Sequence, residues 1–227
     1  MGILLNLDGG EHDDEALELY ALADLVHIAC GGHAGDKASM ERVVKACMAS
    51  NTRIGAHPSY VDREGFGRHA MAVAPSVLRD QVAEQCATLH SVTSMFGAGI
   101  TSVKPHGALY HAVHRDRDVA RACIAGIESA LGDVALVGLP GGAFAEEASA
   151  MKHTYLVEAF ADRGVRADGS LIPRGEPGAL IDDPLLAAAR ARMLAADESI
   201  ATLCVHADTP NSLAIVRAVR AALGPKR

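Results

Sequence analysis

A lysine, three histidines and a tyrosine stand together in KPHGALYHAVH, residues 104–114, around Pro105 and Gly107. The apolar run GITSV just before them reads as a short strand. Ammonium and imidazole groups at a strand end can hold an anion, polarise a carbonyl or move a proton near neutral pH. Other apolar runs end in the same way. Asn6 and Asp8 close the first, with Glu11 just after; His33 and Asp36 follow the second. His57 ends the third, ahead of Asp62 and Arg68. The sixth carries Glu158, with Asp162 and Arg163 just after, and the seventh ends in His206 and Asp208.

One histidine at a strand end is more often a cap or a hydrogen-bonded loop residue. Histidines at four strand ends, beside carboxylates, predict a catalytic rim. Neutral imidazole and carboxylate together suit a divalent cation such as Zn, Mn, Fe or Co. The candidate ligands are Asp8, His33, His57, His106 and His206, with Mg, Mn or Zn as candidate ions. There is no HExxH spacing. Lys104 and Arg163 could hold a carboxylate or phosphate, and Arg68 and Arg174 have the planar fork for bidentate anion binding. Candidates for the chemistry are Asp8, Glu11, His57, Lys104, His106, Asp162 and Arg163. Candidates for holding substrate are Asn6, His33, Asp36, Arg68, Arg174 and His206. No chemistry is assigned to His12, His69, His90, His111, His114 or His153.

Such residues converge only if the elements bring them to one place. Apolar runs at 3–8, 25–30, 53–58, 101–106, 135–140, 154–160 and 199–208 read as strands. Helices are expected over 11–23, 36–50, 75–97, 116–131, 142–151, 184–197 and 210–223. The first would open on Glu11, Asp13, Asp14 and Glu15, which suit a helix N-terminus. Seven β-α units predict a parallel sheet covered by helices, either open and doubly wound or closed. Neither GxGxxG after the first strand nor GxxxxGK[ST] occurs, which removes the usual signature of the nucleotide-binding open sheets. The expectation is one barrel-like domain over residues 1–227. In such a barrel the C-terminal strand ends share one rim. Pro105 restricts Lys104 to extended backbone, so Lys104 and His106 should both face the barrel interior.

The composition agrees. The chain has 227 residues, 49% of them hydrophobic, enough for a sizeable core. Aromatics make up 4% and Trp is absent, which favours close helix–sheet packing. The formal charge is −7 without a basic block, which argues against a nucleic-acid partner. No apolar stretch approaches the roughly 20 residues of a membrane span. The start, MGILLNLDGG, lacks a basic leader, and the five scattered cysteines read as buried thiols. A cytoplasmic protein is expected.

Six stretches resemble the LamB/YcsF family. They are LNLDGGE (5–11), IACGGHAGD (28–36), IGAHPSYVDREGFGR (54–68), VKPHGALY (103–110), EAFADRGVRADGSLIPRGEPGALI (158–181) and CVHADTP (204–210). They occur in family order over nearly the whole chain. The resemblance implies a seven-stranded parallel β/α barrel, TIM-like and similar to the polysaccharide deacetylases. It also implies ATP-dependent opening of 5-oxo-L-proline to L-glutamate, with ATP as cofactor and 5-oxoprolinase subunits B and C as partners. A homo-oligomer stays open. Two other readings remain: a metal-dependent amide or N-acetyl hydrolase, and a non-catalytic ligand-binding subunit. The chain departs from the family pattern at Gly32 (Phe in the family), Val165 (Tyr) and Ala207 (Gly). It also has a shorter loop after Gly10 and lacks an insertion before the last strand. Loss of the Phe and Tyr is expected to open the pocket or change its floor.

Overall fold

Seven short strands close on themselves in sequence order: β1 (Leu4–Gly9), β2 (Leu25–Ala29), β3 (Arg53–His57), β4 (Ile100–Val103), β5 (Ala135–Gly138), β6 (Tyr155–Phe160) and β7 (Thr202–Val205). The computed structural model describes residues 2–166 and 170–227. Every neighbouring pair is parallel, and β1 meets β7 through Leu4 opposite Thr202 and Leu7 opposite Val205. The helices are α1 (Glu18–Leu22), α2 (Lys37–Ala49), α3 (Pro75–Met95), α4 (Gly107–Arg115), α5 (Arg117–Leu131), α6 (Gly142–Ala150), α7 (Pro184–Leu194) and α8 (Ser212–Leu223).

Local chemistry sets several helix starts. Asp36 and Ser39 form a reciprocal capping box on α2. Asp116 caps α5, and Asp183 caps α7 just ahead of Pro184. Pro75 opens α3. The strands alternate with period two. Leu5, Leu7, Val26, Ile28, Ile54, Ala56, Val103, Leu203 and Val205 point outward into the apolar layer under the helices. Their neighbours in sequence point into the barrel.

Two helix expectations need correction. The helix expected over 11–23 shrinks to Glu18–Leu22. Glu15 folds back instead, and its carboxylate accepts from the backbone N–H groups of Gly10, Glu11 and His12 at 2.7, 2.9 and 3.0 Å. The acidic run therefore tightens a loop rather than starting a helix. Conversely, α4 begins right after His106, where the sequence pattern marks Gly107 only as a strand terminator. Gly107 has φ +55°, and a Cβ there would lie 2.5 Å from the Gly67 carbonyl oxygen. A glycine is needed for that approach, which lets Ala108 donate to the same carbonyl at 2.9 Å. The last strand is also shorter than its apolar run, Thr202–Val205 rather than 199–208. All five cysteines are free and buried. Among the described residues no helix is long and apolar enough to cross a membrane.

Candidate functional site

The barrel interior is polar. At its lower level Asn6 donates to Glu158 at 3.0 Å and to Thr202 at 2.7 Å. His27 Nε2 lies 3.1 Å from Ser102 Oγ. Gly55 makes room for that imidazole, since a Cβ there would sit 2.4 Å from His27 Cδ2. Burial, with the nearby Lys104 charge, keeps the pKa of His27 well below the usual histidine value.

Above this level Lys104 reaches across the barrel. Its backbone extends the ladder by one bond past β4, donating to the Ala56 carbonyl at 3.0 Å. Its Nζ lies 2.5 Å from Asp8 Oδ1 and 3.2 Å from Glu158 Oε1. It also donates to Asn6 Oδ1 at 3.2 Å and lies 3.4 Å from Cys204 Sγ. Burial works against the ammonium, yet Asp8, Cys204 and Glu158 around it hold its pKa well above the ordinary lysine value. Tyr110, on α4, donates to Glu158 Oε2 at 2.7 Å. Burial and the Glu158 charge together push that phenol well up.

A second group gathers Glu11, His33, His57 and His106, whose ligand atoms lie within 4.8 Å of one another. Glu11 Oε1 is 3.0 Å from His33 Nε2, 3.2 Å from His106 Nδ1 and 3.7 Å from His57 Nε2. Burial alone would raise the Glu11 carboxyl, but the imidazoles of His106 and His33 beside it outweigh burial and hold the pKa well below the carboxylate range. Burial lowers the pKa of His33, and burial, with His106 and the Lys104 ammonium nearby, takes that of His57 well down.

A third group sits toward the mouth. Asp162 Oδ2 accepts from the His206 backbone N–H at 2.9 Å and from Thr209 Oγ1 at 2.6 Å. The His206 ring Nδ1 lies 3.1 Å from the same carboxylate. Burial opposes charge on both partners, but each favours the other's: the pKa of His206 is raised and that of Asp162 lowered. Arg68 and Arg174 each reach Asp208 at 3.0 Å, one on each carboxylate oxygen.

Members of these groups line one cavity of about 430 Å³, which holds Asp8, Glu11, His57, Lys104, His106, Arg163 and His206 in its wall, with Asp162 buried behind His206 and Asn6 below. The five-residue ligand set expected from the sequence does not form one cluster. Glu11 takes the place given to Asp8 and His206, which instead lie near Cys204 in a separate group. Asp36 is absent from the cavity wall, because its side chain caps α2. Arg163 lines the cavity, but its Nε and one terminal nitrogen donate to the carbonyls of Ala179 and Ile172 and tether that loop. Neither Gly32 nor Val165 lines the cavity. Beside Gly32 a Cβ would lie 2.3 Å from Gln85 Oε1; Gln85, reaching from α3, fills that space. Val165 is exposed and bridges to Leu171 through its backbone.

Sequence reasoning misses three wall or floor residues. Glu158 lies inside β6, and the sequence pattern groups it with the rim residues but assigns it no role. Tyr110 is one helical turn past His106, a spacing that returns it to the same face. His27 sits two residues from Leu25 and Ala29 in β2, so period two alone could have pointed it inward.

The fold and the cavity define a parallel β/α-barrel protein whose charged, hydrogen-bonded interior opens at the C-terminal strand ends. Within that class the chain belongs to the LamB/YcsF family, whose model matches residues 6–226. It is 41% identical over 238 residues to the A subunit of 5-oxoprolinase from Streptomyces griseus, covering 96% of this chain and 94% of that protein. Identity to the corresponding A subunit from Pyrococcus abyssi is 37%, covering 97% and 93%. A crystal structure of a lactam utilization protein from Thermus thermophilus superposes with TM-score 0.89 at 34% identity and covers 98% and 96% of the two chains. A family 4 carbohydrate esterase from Streptomyces lividans shares the fold alone, with TM-score 0.51 at 10% identity over 98% of this chain and 88% of that one.

Proposed function

We propose that this chain supplies the ring-opening site of a 5-oxoprolinase, converting 5-oxo-L-proline to L-glutamate at the expense of ATP, together with subunits B and C. Two lines support the reading: relatives named as the A subunit of 5-oxoprolinase over nearly the full chain, and the cavity itself. The observation that carries it is the buried Lys104, held by Asp8 and Glu158 where a small polar ligand would sit. About 430 Å³ is at the small end of ligand pockets, which run from roughly 300 to 1,000 Å³.

A five-membered lactam is a stabilised amide, so its oxygen needs activating. Transfer of the γ-phosphoryl group to that oxygen releases ADP and leaves a cyclic imidate ester. Water adds at the ring carbon, the C–N bond breaks as the nitrogen takes up a proton, and a second water frees phosphate to leave L-glutamate. Lys104 Nζ is placed to stabilise negative charge on the reacting oxygens. The Asp162–His206 pair can hold and return a proton near neutral pH. Arg68 and Arg174 offer their guanidinium groups to the ligand's carboxylate or phosphate. The sequence has no GxxxxGK[ST], so either ATP binds without that loop or a partner subunit carries the phosphorylation step.

The test is glutamate release from 5-oxoproline by the purified chain, with and without ATP, alone and with subunits B and C. Turnover should need ATP and the partners. ATP-independent turnover by the chain alone would replace this reading with the amide hydrolase. Ligand binding with undiminished turnover in Lys104→Met complexes would leave the chain a binding subunit only.

A further inference from the structure

We infer that Glu11, His57 and His106 form a binding site for a late first-row divalent cation of the Zn(II) type, with an open coordination position facing the cavity. The argument starts with the protons. His57 Nδ1 lies 2.6 Å from the Lys104 carbonyl oxygen, and His106 Nε2 lies 2.9 Å from the Phe66 carbonyl oxygen. A carbonyl can only accept, so each of those nitrogens carries a hydrogen. In the neutral rings the remaining nitrogens, His57 Nε2 and His106 Nδ1, are therefore lone pairs. They face each other at 3.1 Å. The carboxylate oxygen Glu11 Oε1 faces both, at 3.7 and 3.2 Å.

Three electron-rich atoms aimed at one point repel unless something positive lies between them. Their spacing suits a metal ion. With metal–ligand bonds near 2.1 Å, the edges of a tetrahedral site are about 3.4 Å, and the three edges here are 3.1, 3.2 and 3.7 Å. Backbone carbonyls on the far ring nitrogens are the usual outer support of metal-bound histidine. The charge balance points the same way. Asp8, Glu11 and Glu158 are buried or nearly so against the single ammonium of Lys104, which leaves two negative charges when the imidazoles are neutral.

His33 is the reserve rather than the core of the site. Its ring stacks on His106, centroids 3.7 Å apart and 3° from parallel. Two parallel rings cannot both point a nitrogen in-plane at one ion. His33 also does not line the cavity, whereas Glu11, His57 and His106 do. Three protein ligands with the fourth position open is the arrangement of reactive rather than structural Zn(II) sites. The open position would take a water or an oxygen of a cavity ligand.

Binding can be measured without any turnover, so the outcome does not depend on which reaction the chain performs. The full-length chain is stripped with chelator and titrated with Zn(II) by calorimetry, then with Co(II) by visible absorption. We expect about one ion per chain, a tetrahedral Co(II) spectrum, and affinity weakened by roughly tenfold or more in Glu11→Gln and in His106→Asn. His153→Gln, in the connection between α6 and β6 at the end of the barrel away from the mouth, should bind as the parent does. Near-ultraviolet circular dichroism establishes that each variant is folded, and the parent titration stands even where a variant is not. Absence of saturable binding by the parent overturns the inference. So does ¹⁵N resonance data showing a proton shared between His57 and His106 that Zn(II) does not displace.

Discussion

Leu7 and Asp8 are neighbours in β1 and point to opposite sides of the barrel wall. Leu7 enters an apolar layer with Val26, Ala56, Val103 and Leu203, sealed by the helices. Asp8 enters a chamber where Asn6, His57, Lys104 and Glu158 are held to one another by hydrogen bonds and charge. The outer layer is non-directional and tolerates exchange of similar shapes. Each inner group has few partners and a position fixed by them. The same strands thus carry stability on one face and chemistry on the other, and changes on the two faces should fail in different ways.

The sharpest test is Lys104→Met. Turnover of the assembled complex should fall by roughly 10²-fold or more, the scale of one lost electrostatic stabiliser. Asp8 and Glu158 would also be left without their cation, which costs about 3–5 kcal/mol of stability. Near-normal steady-state kinetics would make Lys104 a structural residue only. On the other face, Leu7→Ala should cost about 2–5 kcal/mol in denaturant unfolding, with turnover per folded molecule close to the parent's. A large drop in turnover at full folding would erase the division between the faces.

Gly55→Ala probes the boundary. Its Cβ would lie 2.4 Å from His27 and 2.9 Å from Ser102 Oγ, so overpacking of about 1–3 kcal/mol is expected. An unchanged midpoint would mean the floor is looser than its contacts indicate.

The smallest effect is one of pH. The raised pKa of His206 gives stability that is complete below the unfolded value, about 6.5, and is lost as pH rises through the folded value. The depressed pKa of Asp162 gives stability present above about 3.9 and lost as pH falls through its folded value. The gap in melting temperature between parent and His206→Gln should therefore be widest between about pH 4 and 6.5 and close at higher pH. A gap that grows with rising pH would contradict the assigned charges.

Much of this architecture is legible because it repeats. Apolar runs ending in Gly, Pro or a polar residue mark the seven strands, and the parallel sheet follows from their alternation with helices, although alternation alone fits an open sheet as well as the closed one. The grouping of rim residues is not legible. β1, β4 and β6 are not sheet neighbours, yet Asp8, Lys104 and Glu158 meet across the interior. Spacing along a chain does not encode distance across a barrel. The loop after β1 misleads for another reason: an acidic run favours a helix start, but Glu15 finds three backbone donors nearer to hand. His27 escapes notice because its polar partner, Ser102, lies on another strand.

The seam between β1 and β7 joins residues nearly a chain length apart, Leu4 to Thr202. Closing so long a loop costs entropy that no nearby contact offsets, which places this pairing among the slow events of folding. Asn6 has both of its amide-donor partners, Glu158 and Thr202, on the far side of that seam. Until the ring shuts, the polar groups of the chamber remain hydrated and the outer layer is incomplete along one edge. Closing the seam therefore dries the chamber and completes the apolar layer at once, so a barrel open at that seam has neither a working site nor a finished core.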